Sequence, residues 1–380
     1  MAVTKRLLSL VVLLCISSAA SAALLPEDRS DVMFHRYDGG GVEVDGPSIL
    51  VRKSIGQSVS VSANYYVDSI SCASVDVMSS ASPYTEERTE TGLSVDYLHD
   101  KTMMTLSYTK SDESDYLSET ASFDISHDMF GDLTTVSLGY SVGNDDISNN
   151  TDETFSETAK KQYFRVGITQ ILTKNSLMGI NLETITDEGF LRSPYRSVRY
   201  WNSATGAGGT VSEAYPETRT SNALAFSVKY FLPYRAALSG EYRYYNDTWG
   251  IDASNLEIGY IHPLEKDWTF EVHYRYYTQD AADFYSDLFT RADEQNYMAR
   301  DKELSTYQDH TIGVGVSYEF KPEKWQFLDR GSFTLAVDYI RFNYDDFRDV
   351  LKGGGSVTPG EEPLYSFSAN VIKAYLSVWY

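Results

Sequence analysis

Residues 365–380 read YSFSANVIKAYLSVWY, and they form the last stretch of the chain. Leu376, Val378 and Tyr380 share one face of this stretch because the side chains of a strand alternate with period two. Ser377 points the other way. A terminal apolar strand with a free edge invites aggregation in a soluble protein. The same strand is stable if it pairs with the first strand and closes a barrel in lipid, so we predict a β-barrel, with a soluble β-sandwich as the alternative.

This ending resembles the C-terminal signature of bacterial outer-membrane barrels, in which a final aromatic residue follows apolar residues at alternate positions. In such barrels the signature is read by the barrel assembly machinery. The resemblance implies that Leu376, Val378 and Tyr380 act as an assembly signal and that this machinery is a partner of the chain.

The rest of the sequence repeats the same alternation. In the clearest segment, residues 58–66, Val59 and Val61 alternate with Ser60 and Ser62. About sixteen such segments follow one another, with fourteen as the alternative count, and no stretch has a convincing helical period. Their connections are alternately short and long. We therefore predict an all-β, antiparallel, up-and-down transmembrane barrel with short periplasmic turns and long extracellular loops.

Composition agrees with this class of protein. The 380 residues carry a net charge of −22, which disfavours a nucleic-acid partner. Residues 1–22 have the charged start, apolar run and small-residue end of a secretory signal peptide, so we expect a short periplasmic lead at 23–31 and the barrel at 32–380. Cys72 is the single cysteine outside the signal peptide and cannot form an internal disulfide. The expected location is the bacterial outer membrane, in contact with its lipid and lipopolysaccharide.

Four stretches resemble one bacterial family that is catalogued only as a domain of unknown function and is predicted to form outer-membrane barrels. They are SILVRKSIG at 48–56, YPETRT at 215–220, YRYYNDTWGI at 242–251 and RYYTQDAADFY at 275–285. The resemblance implies location and fold but no established activity. Members are said to be encoded beside a thioredoxin-like protein, a small lipoprotein and a flavin transferase. It therefore implies periplasmic thioredoxin-like or lipoprotein partners and a role in extracytoplasmic electron transfer.

Charged residues on three adjacent predicted strands face the interior of the barrel. They are Glu241, Arg243, Glu257, Glu271, His273 and Arg275. Neighbouring strands lie about 5 Å apart, so these side chains can form ion pairs. They either line a selective path for solutes or form a polar network that stiffens the wall, and both interpretations stay open.

Two long loops are candidates for binding. The first, residues 187–220, carries Arg192, Arg196 and Arg199 beside Tyr200 and Trp201. If this loop folds inward, its arginines can bind anions or narrow a pore; the alternative is a solvated outer loop. The second, residues 280–301, is acidic, and its spacing does not match the helix–loop–helix calcium motif. It is either a plain acidic loop or a weak binder of Ca²⁺, Mg²⁺ or lipopolysaccharide.

Catalytic chemistry has little support in the sequence. A hydrolase at the rim would need a histidine beside a nucleophile or paired carboxylates, and neither His35 nor His310 has a recognisable partner motif. We expect no enzyme activity, no cofactor and no metal site. The expected function is a pore or transport channel for small polar solutes. The alternatives are a structural sleeve for periplasmic redox or lipoprotein partners and, third, a rim hydrolase.

Overall fold

The structure is a computed structural model, and it describes residues 24–80, 84–321, 325, 327–352 and 357–380. The predicted signal peptide at 1–22 lies outside these residues. Within them, no helix combines the length and the apolar character needed to cross a membrane.

Strands make up most of the residues that the structure describes, and one short helix and one 3₁₀ turn accompany them there. The elements are β1 (Arg29–Gly39), β2 (Val42–Ile55), β3 (Val59–Cys72), α1 (Val75–Ser80), β4 (Tyr84–His99), β5 (Thr102–Asp112), β6 (Tyr116–Met129), β7 (Thr134–Ser148), β8 (Ser156–Thr173), β9 (Ser176–Gly189), β10 (Ser197–Asn202), β11 (Ala207–Ser212), β12 (Thr218–Phe231), β13 (Ala237–Asp247), β14 (Asp252–Leu264), β15 (Trp268–Gln279), the 3₁₀ turn Lys302–Leu304, β16 (Tyr307–Phe320), β17 (Arg330–Arg348) and β18 (Leu364–Trp379).

Sixteen of these strands form one closed antiparallel barrel, and β10 and β11 form a separate two-stranded hairpin. Sequential strands pair around the whole ring, with β12 beside β9 where the hairpin intervenes. The ring closes between β1 and β18, where Val32 lies opposite Leu376 and Ser30 lies opposite Val378. The predicted fold class and the predicted count of sixteen strands are both confirmed.

Alternation along the strands gives the barrel an apolar outside. Leu93, Leu106 and Ile312 are outward residues with 62%, 61% and 56% of their surface exposed. Their neighbours in sequence face the interior, as Ser94, Ser107 and Gly313 do; this is the pattern of a barrel wall surrounded by lipid.

The two rims differ in the length of their connections. We call the edge that carries both chain ends and the short turns the inner rim, and the opposite edge the outer rim. The outer connections include a two-residue turn at Gly40 and Gly41, which both have positive φ values of 64° and 80°, as a tight hairpin turn of this kind requires. The long outer connections are residues 190–217, 280–306 and 349–363.

Several strands extend further than the sequence predicted. β1 begins at Arg29, within the predicted lead, and β3 and β7 continue to Cys72 and Ser148. At the outer ends of β3 and β7 the alternation is reversed. Ile70, Cys72 and Ile147 are buried, whereas Ser71 and Asp146 are exposed, so this part of the wall is apolar inside and polar outside.

Candidate functional site

The six predicted interior charges do face the interior, but they pair mostly with residues that sequence analysis did not single out. Arg243 donates to Glu183 at 2.5 Å, and Arg275 lies 3.0 Å from Asp309. Within the predicted set, Glu241 lies opposite Glu257, and Glu257 opposite Arg275, as partners in the sheet. Whether these residues line a path for solutes stays a prediction.

Several interior pairs join strands that are not neighbours. His273 on β15 lies 3.5 Å from Asp338 on β17, and Gly313 of β16 stands between them. A Cβ atom at Gly313 would lie 2.0 Å from the His273 ring and 2.3 Å from the Asp338 carboxylate. The glycine therefore leaves the space through which the two side chains meet.

The same arrangement occurs elsewhere in the wall. Arg165 on β8 pairs with Asp124 on β6 over Gly139 of β7. Arg243 reaches Glu183 over β12, where the interior side chain opposite it is the small Ala225. The wall is thus bound together by charged pairs that cross one strand, each over a residue with little or no side chain.

The polar interior gives way to an apolar one near the outer rim. Tyr37, Val42, Cys72, Ile340 and Val371 come from strands on both sides of the β1–β18 seam, and their side chains are buried in one cluster. Helix α1 packs against this cluster through a buried valine, Val77. Interior residues of the barrel are therefore covered by a connection that folds inward, and Cys72 is a buried thiol of this packing.

We call the described residues of the three long outer connections, 190–217, 280–306, 349–352 and 357–363, together the loop plug. Its centre is an ion-pair network of three residues, one from each loop. The Arg199 guanidinium donates to Asp287 at 2.5 Å and to both carboxylate oxygens of Glu362. Asp287 and Glu362 are 7% and 6% exposed, so these charges are largely removed from solvent. Buried charges of this kind are stable only when paired, which makes the three loops one unit.

One further arginine, Arg300, connects the plug to its surroundings. Arg300 lies 3.0 Å from Asp287, donates to the Ser79 hydroxyl of α1 at 2.9 Å, and stacks over Phe347 of β17. Helix α1 belongs to the connection between β3 and β4, whereas Arg300 belongs to the connection between β15 and β16. These contacts therefore join connections from separate parts of the ring. The loop plug is therefore attached both to α1 and to the barrel wall at the outer rim.

The predicted loop residues have different places in this assembly. Arg196 pairs with Asp301 at 2.6 Å, whereas Arg192 stacks over Phe190 and is not part of the ion-pair network described above. Tyr200 bridges to Phe289 in the sheet-like contact between the hairpin and the next loop, and the Trp201 amide donates to the Phe289 carbonyl. Their role in anion binding stays a prediction.

The acidic loop divides into buried and exposed carboxylates. Asp287 and Asp301 are buried in pairs with arginines, while Asp280, Asp283 and Asp293 are exposed. No periodic pattern in the sequence predicts this division, because the burial of each carboxylate depends on whether an arginine of another loop lies beside it. Weak cation or lipopolysaccharide binding by the exposed carboxylates stays a prediction.

Glu213 is a titratable group inside the plug. Its carboxylate accepts the Arg300 backbone N–H at 2.8 Å and the Tyr215 hydroxyl at 2.8 Å. Burial, together with the nearby Asp301 charge, raises the pKa of Glu213 to about 7, although Arg196 opposes the shift. This carboxyl group therefore changes charge in the neutral range while enclosed by the plug.

The two histidines considered for catalysis lie in different environments. The His35 ring lies 2.7 Å from the Asp68 carboxylate and 2.9 Å from the Tyr66 hydroxyl, in the interior, and Arg88 also pairs with Asp68. His310 is on the outward face, where its ring packs against the outward tyrosines Tyr274 and Tyr276.

A family model described as "Protein of unknown function (DUF3570)" matches residues 9–339 of the chain. No curated protein sequence matches the chain.

Several solved structures are similar in outline. A bacterial polysaccharide outer membrane secretin has 6% identity and a TM-score of 0.49 over 93% of this chain and 99% of its own. The CymD monoaromatic hydrocarbon channel has 10% identity and a TM-score of 0.45 over 94% and 89%. The trimer form of OmpT, an outer membrane protein of Vibrio cholerae, has 9% identity and a TM-score of 0.44 over 92% and 98%. Likenesses this distant carry no argument about function.

Proposed function

We propose that this chain, which belongs to the family described as protein of unknown function DUF3570, is a transport channel for small polar solutes that its own loops close at rest. The family resemblance noted in the sequence is thereby confirmed, and its description states no activity. The proposal consequently depends on the chain's own interior.

One contrast between two acidic residues carries the proposal. Glu271 faces the interior in the inner half of the barrel and is exposed to solvent there. Glu362, in the loop plug, is 6% exposed and paired with Arg199. A barrel of sixteen strands is wide enough for an aqueous lumen. A solvated, charged inner half beneath a packed outer mouth supports a conduit with one closed end.

The outer membrane of a Gram-negative bacterium is the proposed location. The outward faces carry a belt of exposed apolar side chains around the ring, far larger than the apolar patches that soluble monomers expose. Lipid and lipopolysaccharide are accordingly the proposed surroundings, and the barrel assembly machinery the proposed route of insertion. Membrane fractionation tests this, and recovery of folded protein in the periplasmic fraction would contradict it.

The geometry of the hairpin provides a direct test of the channel. Ser197 and Ser212 are paired at the base of the β10–β11 hairpin, so residues 198–211 can be replaced by an Asn-Gly turn without stretching the chain. This removes Arg199 and Val198 from the plug. In a planar bilayer we expect low ion conductance from the wild type and higher ion conductance from the shortened protein.

A matched control shortens only the exposed hairpin tip. Replacing residues 203–206 by Asn-Gly leaves Val198 and Arg199 in place. The ion conductance of this variant is expected to be as low as that of the wild type. Folding of each variant is verified by the heat-dependent mobility of barrels in gels. If the protein without residues 198–211 folds but does not conduct ions, the proposed channel function is wrong. That result would favour the alternative of a polar network that only stiffens the wall.

We make no proposal of catalysis. The His35–Asp68 pair has the distance of a catalytic dyad, but the groups bonded to it are the Tyr66 hydroxyl and the Arg88 guanidinium, and neither supplies the nucleophile that a hydrolase needs.

A further inference from the structure

We propose that Glu86, Glu113 and Asp115 form a binding site for one calcium ion, which fastens the loop plug to the barrel wall. The site is separate from the plug's ion-pair network and does not depend on the proposed channel activity.

The three carboxylates come from the outer end of one strand and from one outer connection of the barrel. Glu86 lies at the outer end of β4, and Glu113 and Asp115 lie in the connection between β5 and β6. One carboxylate oxygen of each lies within 4.8 Å of the corresponding oxygens of the other two. Oxygens bound to one Ca²⁺ ion at ~2.4 Å are at most about 4.8 Å apart, so the spacing of the three carboxylates is compatible with one shared ion.

The orientation of the carboxylates is fixed by their own hydrogen bonds. One oxygen of Glu86, Oε1, accepts from the backbone N–H and the hydroxyl of Ser114 at 3.0 and 2.5 Å. Oδ2 of Asp115 accepts the Tyr195 hydroxyl at 2.5 Å. These bonds hold the Glu86 and Asp115 side chains in place before any ion binds.

An unsatisfied buried atom points independently to a ligand. Asp115 is 4% exposed, and its second oxygen, Oδ1, is buried without a hydrogen-bond partner in the described part of the chain. Leaving a buried carboxylate oxygen unsatisfied costs free energy, and in native proteins an ion often satisfies such an atom. A cation within reach of Oδ1 would remove that cost.

Charge balance supports the same ligand. Among the described residues, no lysine or arginine forms an ion pair with Glu86, Glu113 or Asp115, and nearby Arg88 is paired with Asp68. Three carboxylates that lie close together without an ion-paired lysine or arginine among the described residues are a favourable place for a hard divalent cation.

Calcium fits this group better than magnesium. Magnesium requires oxygen ligands at 2.0–2.1 Å in near-ideal octahedral geometry, whereas calcium accepts six to eight oxygens in flexible arrangements. The carboxylates here are contributed by separate segments and one edge of the group is open to solvent, where water can complete the shell. The exposed Ser114 and intermediate burial of Glu86 and Glu113 leave that access.

The site is mechanically linked to the plug through Tyr195. This residue lies in the 190–217 loop, one position before Arg196, and its hydroxyl joins Asp115 to the Asn150 backbone N–H at 2.8 Å. Fixing the Asp115 carboxylate by a cation therefore also fixes the start of the loop that carries Arg196 and Arg199.

The test is calorimetric titration of CaCl₂ into the full-length folded barrel in detergent, after removal of lipopolysaccharide and EDTA. We expect one Ca²⁺ per chain in the wild type and at least a tenfold weaker affinity in Asp115→Asn and in Glu113→Gln. The matched control is Glu153→Gln, which removes one exposed charge from the neighbouring β7–β8 connection and is expected to bind as the wild type does.

Folding and selectivity are measured on the same samples. Because Asp115→Asn removes repulsion in the ion-free protein, its urea midpoint in EDTA is expected to equal or exceed that of the wild type, while the calcium-dependent increase is lost. Absence of saturable calcium binding in the wild type, or equal affinity in Asp115→Asn and Glu153→Gln, would overturn the site. Equal affinity for MgCl₂ and CaCl₂ would overturn its assignment to calcium.

Discussion

Arg199 and Glu362 are separated by 163 residues in sequence, and both oxygens of the Glu362 carboxylate accept from the Arg199 guanidinium. This pair joins the loop between β9 and β12 to the loop between β17 and β18. Planar two-point contacts of this type are stronger and more directional than single ion pairs. We therefore regard this contact as the main fastening of the closed mouth.

Arg199→Ala is expected to open the channel without unfolding the barrel. Removal of one partner from a buried ion pair costs about 3–5 kcal/mol, because it leaves the other charge unpaired. That cost affects the plug, while the strand pairing of the wall is unchanged. In planar bilayers we expect openings at least tenfold more frequent than in the wild type.

The control for this change is in the same plug. Arg291 is 65% exposed in its salt bridge with Asp293, so Arg291→Ala removes an arginine without disturbing a buried pair. Its conductance should match that of the wild type. If Arg199→Ala and Arg291→Ala opened equally often, the role of the buried network in closure would be disproved.

Gly313→Ala is expected to weaken the wall, because its Cβ would overlap with the ring of His273 and the carboxylate of Asp338. Overpacking of this kind typically costs about 1–3 kcal/mol. The measurement is the urea midpoint of unfolding of the barrel in detergent. Gly315→Ala provides the control, since a Cβ there would meet Glu271 Cβ at an ordinary 3.5 Å. Equal midpoints for the two variants would argue against pairs that cross over glycine.

The closed mouth should lose stability as the pH rises. Glu213 has a pKa of about 7 inside the plug, above its usual value of 4.5, so the closed state retains a proton that the free carboxyl group loses. Closure is then weakened as the pH rises from 4.5 through 7. Channel openings should be more frequent at pH 8 than at pH 6.

Glu213→Gln tests the assignment of this titration. The neutral amide resembles the protonated acid beside Arg196, Asp301 and Tyr215, so the variant should stay closed at both values of pH. A variant that kept the full pH dependence of the wild type would exclude Glu213 as the titrating group.

Tyr195→Phe separates calcium binding from its effect on the plug. The hydroxyl that joins Asp115 to the loop is lost, while the Asp115 carboxylate remains. We expect calcium affinity within about threefold of the wild type and no effect of calcium on the frequency of openings. Loss of calcium binding in this variant would mean that the hydroxyl positions the site itself.

Leu106→Arg is expected to impair membrane folding. Leu106 is 61% exposed on the outward face, where an arginine costs about 2–4 kcal/mol near the middle of the bilayer. Ser107→Arg places the same residue on the interior face and should fold more readily. The measurement is the folded fraction in lipid vesicles as a function of urea. A Ser107→Arg variant that is impaired as severely as Leu106→Arg would contradict the assignment of the two faces.

The barrel wall could be predicted from the sequence because it obeys a short-range rule. Leu106 and Ser107 reveal their faces by alternation alone, and Tyr380 with Leu376 and Val378 reveals the closing strand. The plug obeys no such rule. In the sequence, Asp287 and Glu362 do not differ from other acidic loop residues. Their burial depends on pairing with Arg199, which belongs to a loop distant in sequence.

The interior pairs could not be predicted for a related reason. Glu183 and Asp338 find their partners one strand beyond their immediate neighbours, and alternation along a strand says nothing about pairing at that distance. One local signal was available: Gly313 and Gly139 occupy interior positions in otherwise regular strands. A glycine in the middle of a strand often marks a close approach by another group, and here that group is a charged pair.

The seam between β1 and β18 joins the first and last strands of the barrel, so the ring cannot close until both are present. The Tyr380 hydroxyl reaches the Arg29 carbonyl across 351 positions of sequence. Until both of these strands have been delivered, the nascent sheet is an open ribbon with two unsatisfied borders, each a template for unwanted association. A chain that lacked either strand would therefore expose both borders, which the finished ring does not.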